Sequence, residues 1–359
     1  MNLCCVNCFD DKFLKDHIKE YGSKSSCDFC GSKNVPCIDP EELADLFIPV
    51  INLYSIVEDF MPTHDLKHRD GEFIWEKLDQ EWGLFAIEYA KQEELLHAMF
   101  PCRDPKEGDL QFLHSWVERE GEYWGTDRET SDKMEDLWND FCQEIKNENR
   151  FFPRKKIDLN LLGELISTQT YSLLQNETLF RARLAANGER IPPRKMGKPP
   201  AEKSVHGRAN PRGIPYLYLA SDPETAIKEI RPSLSDKITV GKFKPIKSLE
   251  IIDLRNPKIE SPFFYGDNLE FLFVYLEYLR NLGSEISKPV DKKDPELEYL
   301  PLQYLCEFIK NEGYDGVAYK SSVGEGYNLA IFNDRKLKCT RTTLYEVNIS
   351  LRKVETKGK

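Results

Sequence analysis

The sequence predicts a multidomain chain: a small cysteine-rich ribbon, then an acidic α-helical module, then an α+β domain. Three observations carry this expectation. The 359 residues exceed what one hydrophobic core usually organises. Six of the ten cysteines fall within the first 37 residues. Residues 1–150 hold 34 acidic against 16 basic side chains, a balance of −18, whereas residues 151–359 hold 27 against 34, a balance of +7. Opposite charge in the two halves points to domains with different partners. The expected division is 1–38 for the ribbon, 39–150 for the helical module, 151–174 for a linker and helix, and 175–359 for the α+β domain.

Composition is otherwise that of a soluble globular protein, with 40% hydrophobic and 31% charged residues. No apolar run approaches the roughly 18 residues a bilayer span needs, so no membrane partner is expected. The opening MNLCCVNCFDDKFLKDH lacks the basic and apolar regions of a secretion signal, which makes the expected location cytoplasmic. The net charge of −11 argues against a dedicated nucleic-acid binder.

The ribbon follows from cysteine spacing. Cys5-x2-Cys8 and Cys27-x2-Cys30 form two knuckles separated by eighteen residues. Each knuckle brings two thiolates to one metal, so the pair predicts a tetrahedral zinc site. A closed shell of four sulfurs leaves no open position, and the zinc is expected to be structural. Cys4 and Cys37 remain as alternative ligands. Cys102, Cys142, Cys306 and Cys339 read as small buried hydrophobes.

The helical module follows from periodicity. PEELADLFIPVINLYSIVEDF has acidic residues in its first turn and helical apolar spacing, so a helix is expected to begin near Asp39. EYAKQEELLHAMF and ETSDKMEDLWNDFCQEIKN read as helices too, the latter with Ser131 as its N-cap. His64 and His68 stand at i, i+4, but THDLKHRDGE is polar and carries no HExxH pattern, so a solvated loop is expected over a second metal site.

The α+β domain alternates elements without βαβ regularity. LNLLGELISTQTYSLLQNE reads as a helix and ETLFRARL as a strand. The segment from Ala185 to Gly213 is basic and broken by Pro and Gly. A connection of that length is usually functional or disordered. IPYLYLA then reads as a strand and SDPETAIKEIR as a helix, with Ser221 or Asp222 as cap and Pro223 near its start. KITVGKFKP, SLEIIDL, DGVAYKSS, YNLAIFN and LKCTRTTLYEVNISL read as further strands. NLEFLFVYLEYLRNL and LPLQYLCEFIKNEG read as amphipathic helices. Neither a dinucleotide-binding GxGxxG nor a P-loop is present.

FRARL, HGRANPRGIPYLYLASDPETAIKEI and GYDGVAYKSSVGEGYNLAIFN together resemble the RES domain family, in family order over roughly residues 175–335. The cysteine-rich front and acidic helices resemble the HEPN/RES N-terminal domain. An Arg followed four to six residues later by His, the hallmark of HEPN ribonucleases, does not occur in the chain. The resemblance implies an ADP-ribosyltransferase-like fold and NAD as substrate, degraded by hydrolysis or phosphorolysis. It also implies a toxin role with an Xre-type antitoxin or other regulator, and often a homodimer.

Carried over residue by residue, the first family arginine falls on Arg181 in LFRAR, with Arg183 as a competitor. HGRAN stands where the family has GGRWN, which gives Arg208 and Asn210 and puts Ala209 in place of Trp. The strand tyrosine falls on Tyr218 and the helix glutamate on Glu229. The family's PS motif becomes KSS, where Ser321 fits the spacing to Asn328 and Ser322 is the alternative. Arg208, Tyr218, Glu229 and Ser321 are then the expected catalytic residues, and Arg181, Asn210 and Asn328 the expected NAD-binding ones.

These residue types suit the chemistry. Guanidinium groups bind diphosphate oxygens in bidentate fashion. A carboxylate stabilises the oxocarbenium character that develops when the nicotinamide–ribose bond breaks. Taken singly, Glu229 is an ordinary helix-surface glutamate and Arg208 an ordinary loop cation; only their combination points to a site. Two other readings stand beside the NAD-cleaving enzyme. One is an ADP-ribosyltransferase acting on a macromolecule; the other is a nucleic-acid- or protein-binding adaptor built on the zinc ribbon.

Overall fold

In the computed structural model the chain divides into two units, Met1–Ser131 with Ile259–Val274, and Asp132–Lys258 with Tyr275–Lys359. The structure describes residues 2–62, 65, 71–101, 112–288 and 295–347. His64, His68 and Cys102 lie outside the described residues. No helix among the described residues is long and apolar enough to cross a membrane.

The first unit opens with a three-stranded antiparallel sheet of β1 (Cys4–Cys5), β2 (Ser23–Ser26) and β3 (Lys33–Ile38), with β3 in the centre. The helix Lys12–Tyr21 lies between β1 and β2 in sequence, and Asp11 Oδ1 caps it by accepting from Leu14 N at 2.9 Å. Asp39 caps a short 3-10 turn, Pro40–Leu43, that leads into the helix Ala44–Ile51, so the expected start near Asp39 holds. Helices Ile74–Trp82 and Tyr89–Met99 follow, together with a small ladder of β4 (Ser55–Ile56) and β5 (Val117–Glu118). Phe9, Phe47, Tyr54 and Phe112 fill the core of this unit.

Ser131 is not an N-cap. Gly125, at φ 73°, closes the preceding short helix, and a new helix starts at once, running Thr126–Asn147. Its first turn holds Asp127 and Glu129, which suit a helix N-terminus. Ser131 is a buried residue in its second turn.

The second unit is built on an eight-stranded sheet. Its strands are β6 (Thr170–Leu173), β7 (Leu179–Leu184), β8 (Leu217–Ala220), β9 (Lys237–Pro245), β10 (Leu249–Asp253), β11 (Gly316–Lys320), β12 (Tyr327–Ile331) and β13 (Leu337–Glu346). Their order is β13-β9-β7-β8-β12-β11-β10-β6, antiparallel throughout except for the β10–β11 pair. A parallel pair needs a long crossover, and helical segments occupy the sequence between those two strands.

Here the expectation of one helix over residues 159–177 is corrected. The helix is Leu159–Ser167, and Thr168 Oγ1 turns back to the Leu165 carbonyl at its end. TYSL then becomes β6, pairing antiparallel with β10 and burying Leu173. The β-branched and aromatic residues of TYSL favour an extended backbone once a partner strand is available.

Period-two alternation splits the sheet into two faces. One carries Leu179, Leu217, Leu219, Phe243, Ile251, Leu329 and Ile331. The other carries Phe180, Ala182, Ala220, Ile238 and Val240, packed with Ala226, Ile227 and Ile230. The isolated cysteines divide: Cys142 and Cys306 are buried as expected, while Cys339 is half-exposed.

Candidate functional site

A cavity of about 530 Å³ opens on the second face of the eight-stranded sheet, within the range of small-molecule sites. Register explains its floor. Phe180 pairs with Ala220, Ala220 with Asn328, and Asn328 with Tyr319, so four adjacent strands place one residue each in a single row. All four line the cavity. Tyr218 and Ala182, two residues along their strands from members of that row, line it as well.

Glu229 enters at the end of the helix Pro223–Glu229. Local sequence fixes that helix: Asp222 Oδ1 accepts from Thr225 N at 2.8 Å, and Pro223 supplies the preset φ of a first helical residue. One carboxylate oxygen of Glu229 accepts from Ser321 Oγ at 2.7 Å and from Asn328 Nδ2 at 2.5 Å. Ser321 Oγ also accepts from Val323 N at 3.2 Å and Gly324 N at 3.0 Å, which holds the hydroxyl in place. The second carboxylate oxygen of Glu229 makes no hydrogen bond among the described residues, and Glu229 lines the cavity. The loop after Ser321 packs tightly on the same helix. A Cβ at Gly326 would stand 2.1 Å from Asp222 Oδ2.

HGRAN forms a fixed loop at the cavity edge. Tyr218 hydroxyl donates to Asn210 Oδ1 at 2.8 Å and accepts from Ala209 N at 3.1 Å. Asn210 is buried and its Nδ2 donates to the carbonyls of Val205 and Pro211. Gln303 Nε2 donates to Gly207 O at 2.8 Å. Arg208 Nη1 donates to Ile286 O at 2.5 Å, which leaves its other nitrogens for the cavity that it lines.

The structure thus brings Arg208, Tyr218, Glu229 and Asn328 to one cavity, with Ser321 bonded to Glu229. Ser322 lines the cavity, but the bond to Glu229 belongs to Ser321. Asn210 acts within the loop. Arg181 borders the cavity from the other strand face, where its Nη1 donates to Gly197 O at 2.9 Å. Burial, then the neighbouring charge of Arg183, pull Arg181 down to about 10, so it stays cationic at neutral pH. Arg183 is exposed and donates to Lys195 O.

Sequence reasoning missed Phe180, Arg231, Tyr299 and Tyr319, which also line the cavity. Arg231 carried a usable signal. It precedes a proline, which disfavours the right-handed helical region, and it adopts φ 47° just past the helix end.

A second constellation lies in the first unit. The sulfurs of Cys5, Cys8, Cys27 and Cys30 all lie within 4.8 Å of one another. Cys8–Cys27 is 3.3 Å, Cys5–Cys30 3.5 Å and Cys5–Cys8 4.0 Å. A tetrahedral ion with sulfurs at about 2.3 Å requires edges of about 3.8 Å, so the four fit zinc. Cys4 and Cys37 instead direct their thiols to the carbonyls of Ile38 and Val35. Burial pushes Cys5 up to about 12 and Cys8 further still; against burial, Ser32 holds Cys30 down to about 7. Thiols this close oppose one another's ionisation, and a dication removes that opposition.

Residues 178–348 match the RES domain family, and residues 20–158 match the family HEPN/RES N-terminal domain 1. No curated protein is significantly similar to the chain. Among solved structures, the M. tuberculosis MbcT-MbcA toxin-antitoxin complex aligns with 53% of this chain and 94% of that chain, at 14% identity and a TM-score of 0.35. A likeness that weak carries no inference about fold or activity.

Proposed function

From the premise that this chain carries a RES domain behind a HEPN/RES N-terminal domain, we propose that it cleaves the nicotinamide–ribose bond of NAD and acts in the cytoplasm as a growth-arresting toxin or defence effector. One observation carries the reading: a carboxylate held by a serine and an asparagine, in a cavity shared with a loop arginine.

Arg208 binds the diphosphate through its remaining N–H groups. The free oxygen of Glu229 faces the ribose. As the bond between the anomeric carbon and the ring nitrogen breaks, its electron pair passes to nicotinamide and neutralises the pyridinium. Positive charge moves onto the ribose, where the Glu229 carboxylate stabilises it. An oxygen nucleophile then closes on the anomeric carbon and releases its proton. Ser321 and Asn328 keep the carboxylate aimed by donating to it. Phe180 and Tyr299 supply apolar walls for the rings.

Cys5, Cys8, Cys27 and Cys30 hold a structural zinc that staples a ribbon too small to fold by burial alone. The RES unit takes the ADP-ribosyltransferase-like arrangement its family implies, and an antitoxin that covers the cavity restrains it.

Purified protein incubated with NAD tests the proposal. Free nicotinamide is expected, and Glu229→Gln is expected to lower kcat by roughly 10²–10³, the scale of losing one preorganised electrostatic group. Label transferred from NAD to a macromolecule identifies the protein as an ADP-ribosyltransferase instead. Turnover that is unchanged in Glu229→Gln removes the carboxylate from the mechanism.

A further inference from the structure

Tyr218 has no O–H donor to spare for a ligand. Its single O–H donates to Asn210 Oδ1, and its oxygen accepts from Ala209 N, which ties it to the HGRAN loop. A second phenol occupies the same cavity. Tyr319, on β11, is 5% exposed and lines the cavity, and its hydroxyl makes no hydrogen bond among the described residues. Arg208 and Glu229 line the same cavity. Its register fixes the direction: Tyr319 stands directly opposite Asn328, whose amide reaches Glu229 from the same sheet face. A phenol with no partner in the protein, on the wall of a cavity, has its O–H available to an oxygen of a bound molecule.

We infer that Tyr319, and not Tyr218, presents the phenolic hydroxyl to the substrate, donating to a phosphate oxygen beside Arg208, while Tyr218 is a positioning residue for the loop. The inference rests on the NAD-cleavage reading and refines it. Tyr319→Phe keeps the ring and its packing and deletes the donor alone. A hydrogen bond to a charged acceptor that is made equally in ground and transition states appears in KM rather than kcat.

Steady-state kinetics on the full chain test this. Tyr319→Phe is expected to raise KM for NAD roughly 10- to 100-fold with kcat nearly unchanged and the melting temperature intact. Tyr218→Phe is expected to lower the melting temperature, because it leaves the buried Asn210 oxygen without its donor. Wild-type turnover with an unchanged KM in Tyr319→Phe, or a fall in kcat alone, overturns the inference and leaves the NAD reading standing. If the wild type releases no nicotinamide, the cleavage reading falls by itself. Calorimetry with ADP-ribose then reads the Tyr319 contact independently: binding at least about tenfold weaker in Tyr319→Phe supports it. Equal binding, or no binding to the wild type, overturns it.

Discussion

Ser321→Ala separates the two adjacent serines and tests how the carboxylate is held. The substitution removes an Oγ that donates to Glu229 at 2.7 Å and accepts from Val323 N and Gly324 N. The two amides sit in a part-buried loop where water can replace the lost acceptor. The main loss is therefore the bond to the charged carboxylate, worth about 1.5–3 kcal/mol in general. Asn328 still donates to the same oxygen at 2.5 Å, which keeps the carboxylate in the cavity and places the effect at the lower end. The expected fall in kcat/KM is roughly 10- to 30-fold, since about 1.4 kcal/mol is a factor of ten. Ser322→Ala is expected to stay within about twofold, because the Ser322 side chain makes no bond to Glu229. Nicotinamide release measured by chromatography supplies the rates. A double-mutant cycle adds a readout that a purely structural role would not move: in a Glu229→Gln background, Ser321→Ala should cost much less, because both act through one group. Fully additive effects, or a larger loss in Ser322→Ala than in Ser321→Ala, would refute the reasoning.

Two further perturbations address the loop and the metal centre. A Cβ at Gly207 would stand 2.6 Å from Asn210 Oδ1 and 2.9 Å from the Tyr218 hydroxyl. Gly207→Ala should therefore displace Arg208 and lower kcat/KM by up to about 10²-fold, read in the same assay; wild-type rates would mean that the loop geometry is irrelevant. Metal analysis of the purified chain should find a single zinc ion, lost on chelation or in Cys27→Ser together with an earlier unfolding step of the first unit. A metal-free wild type of unchanged stability would contradict the zinc assignment.

The local elements that border the cavity were legible because their signals are local. Asp222 and Pro223 announce a helix start, and Glu229 falls at its end without reference to anything distant. The two CxxC knuckles likewise announce their cluster. What eluded the sequence depends on strand register. Phe180, Ala220, Asn328 and Tyr319 share a row only because β7, β8, β12 and β11 lie side by side, and alternation along one strand names a face but not its neighbours. The same limit explains β6. TYSL continues an amphipathic helix in the local pattern, and its strand character comes from β10, which lies far along the chain. Ser131 has good capping chemistry, but the helix had already begun at Thr126 behind Gly125. Tyr218 shows a subtler limit. Its place beside the cavity followed from the motif, but the commitment of its hydroxyl to Asn210 and Ala209 needs coordinates.

Quantifying nicotinamide released from NAD by the purified wild-type chain, beside Glu229→Gln, tests the central claim most directly. The account predicts accumulation of free nicotinamide by the wild type and its near-abolition in the variant. Recovery of intact NAD after incubation with folded wild-type protein would contradict it.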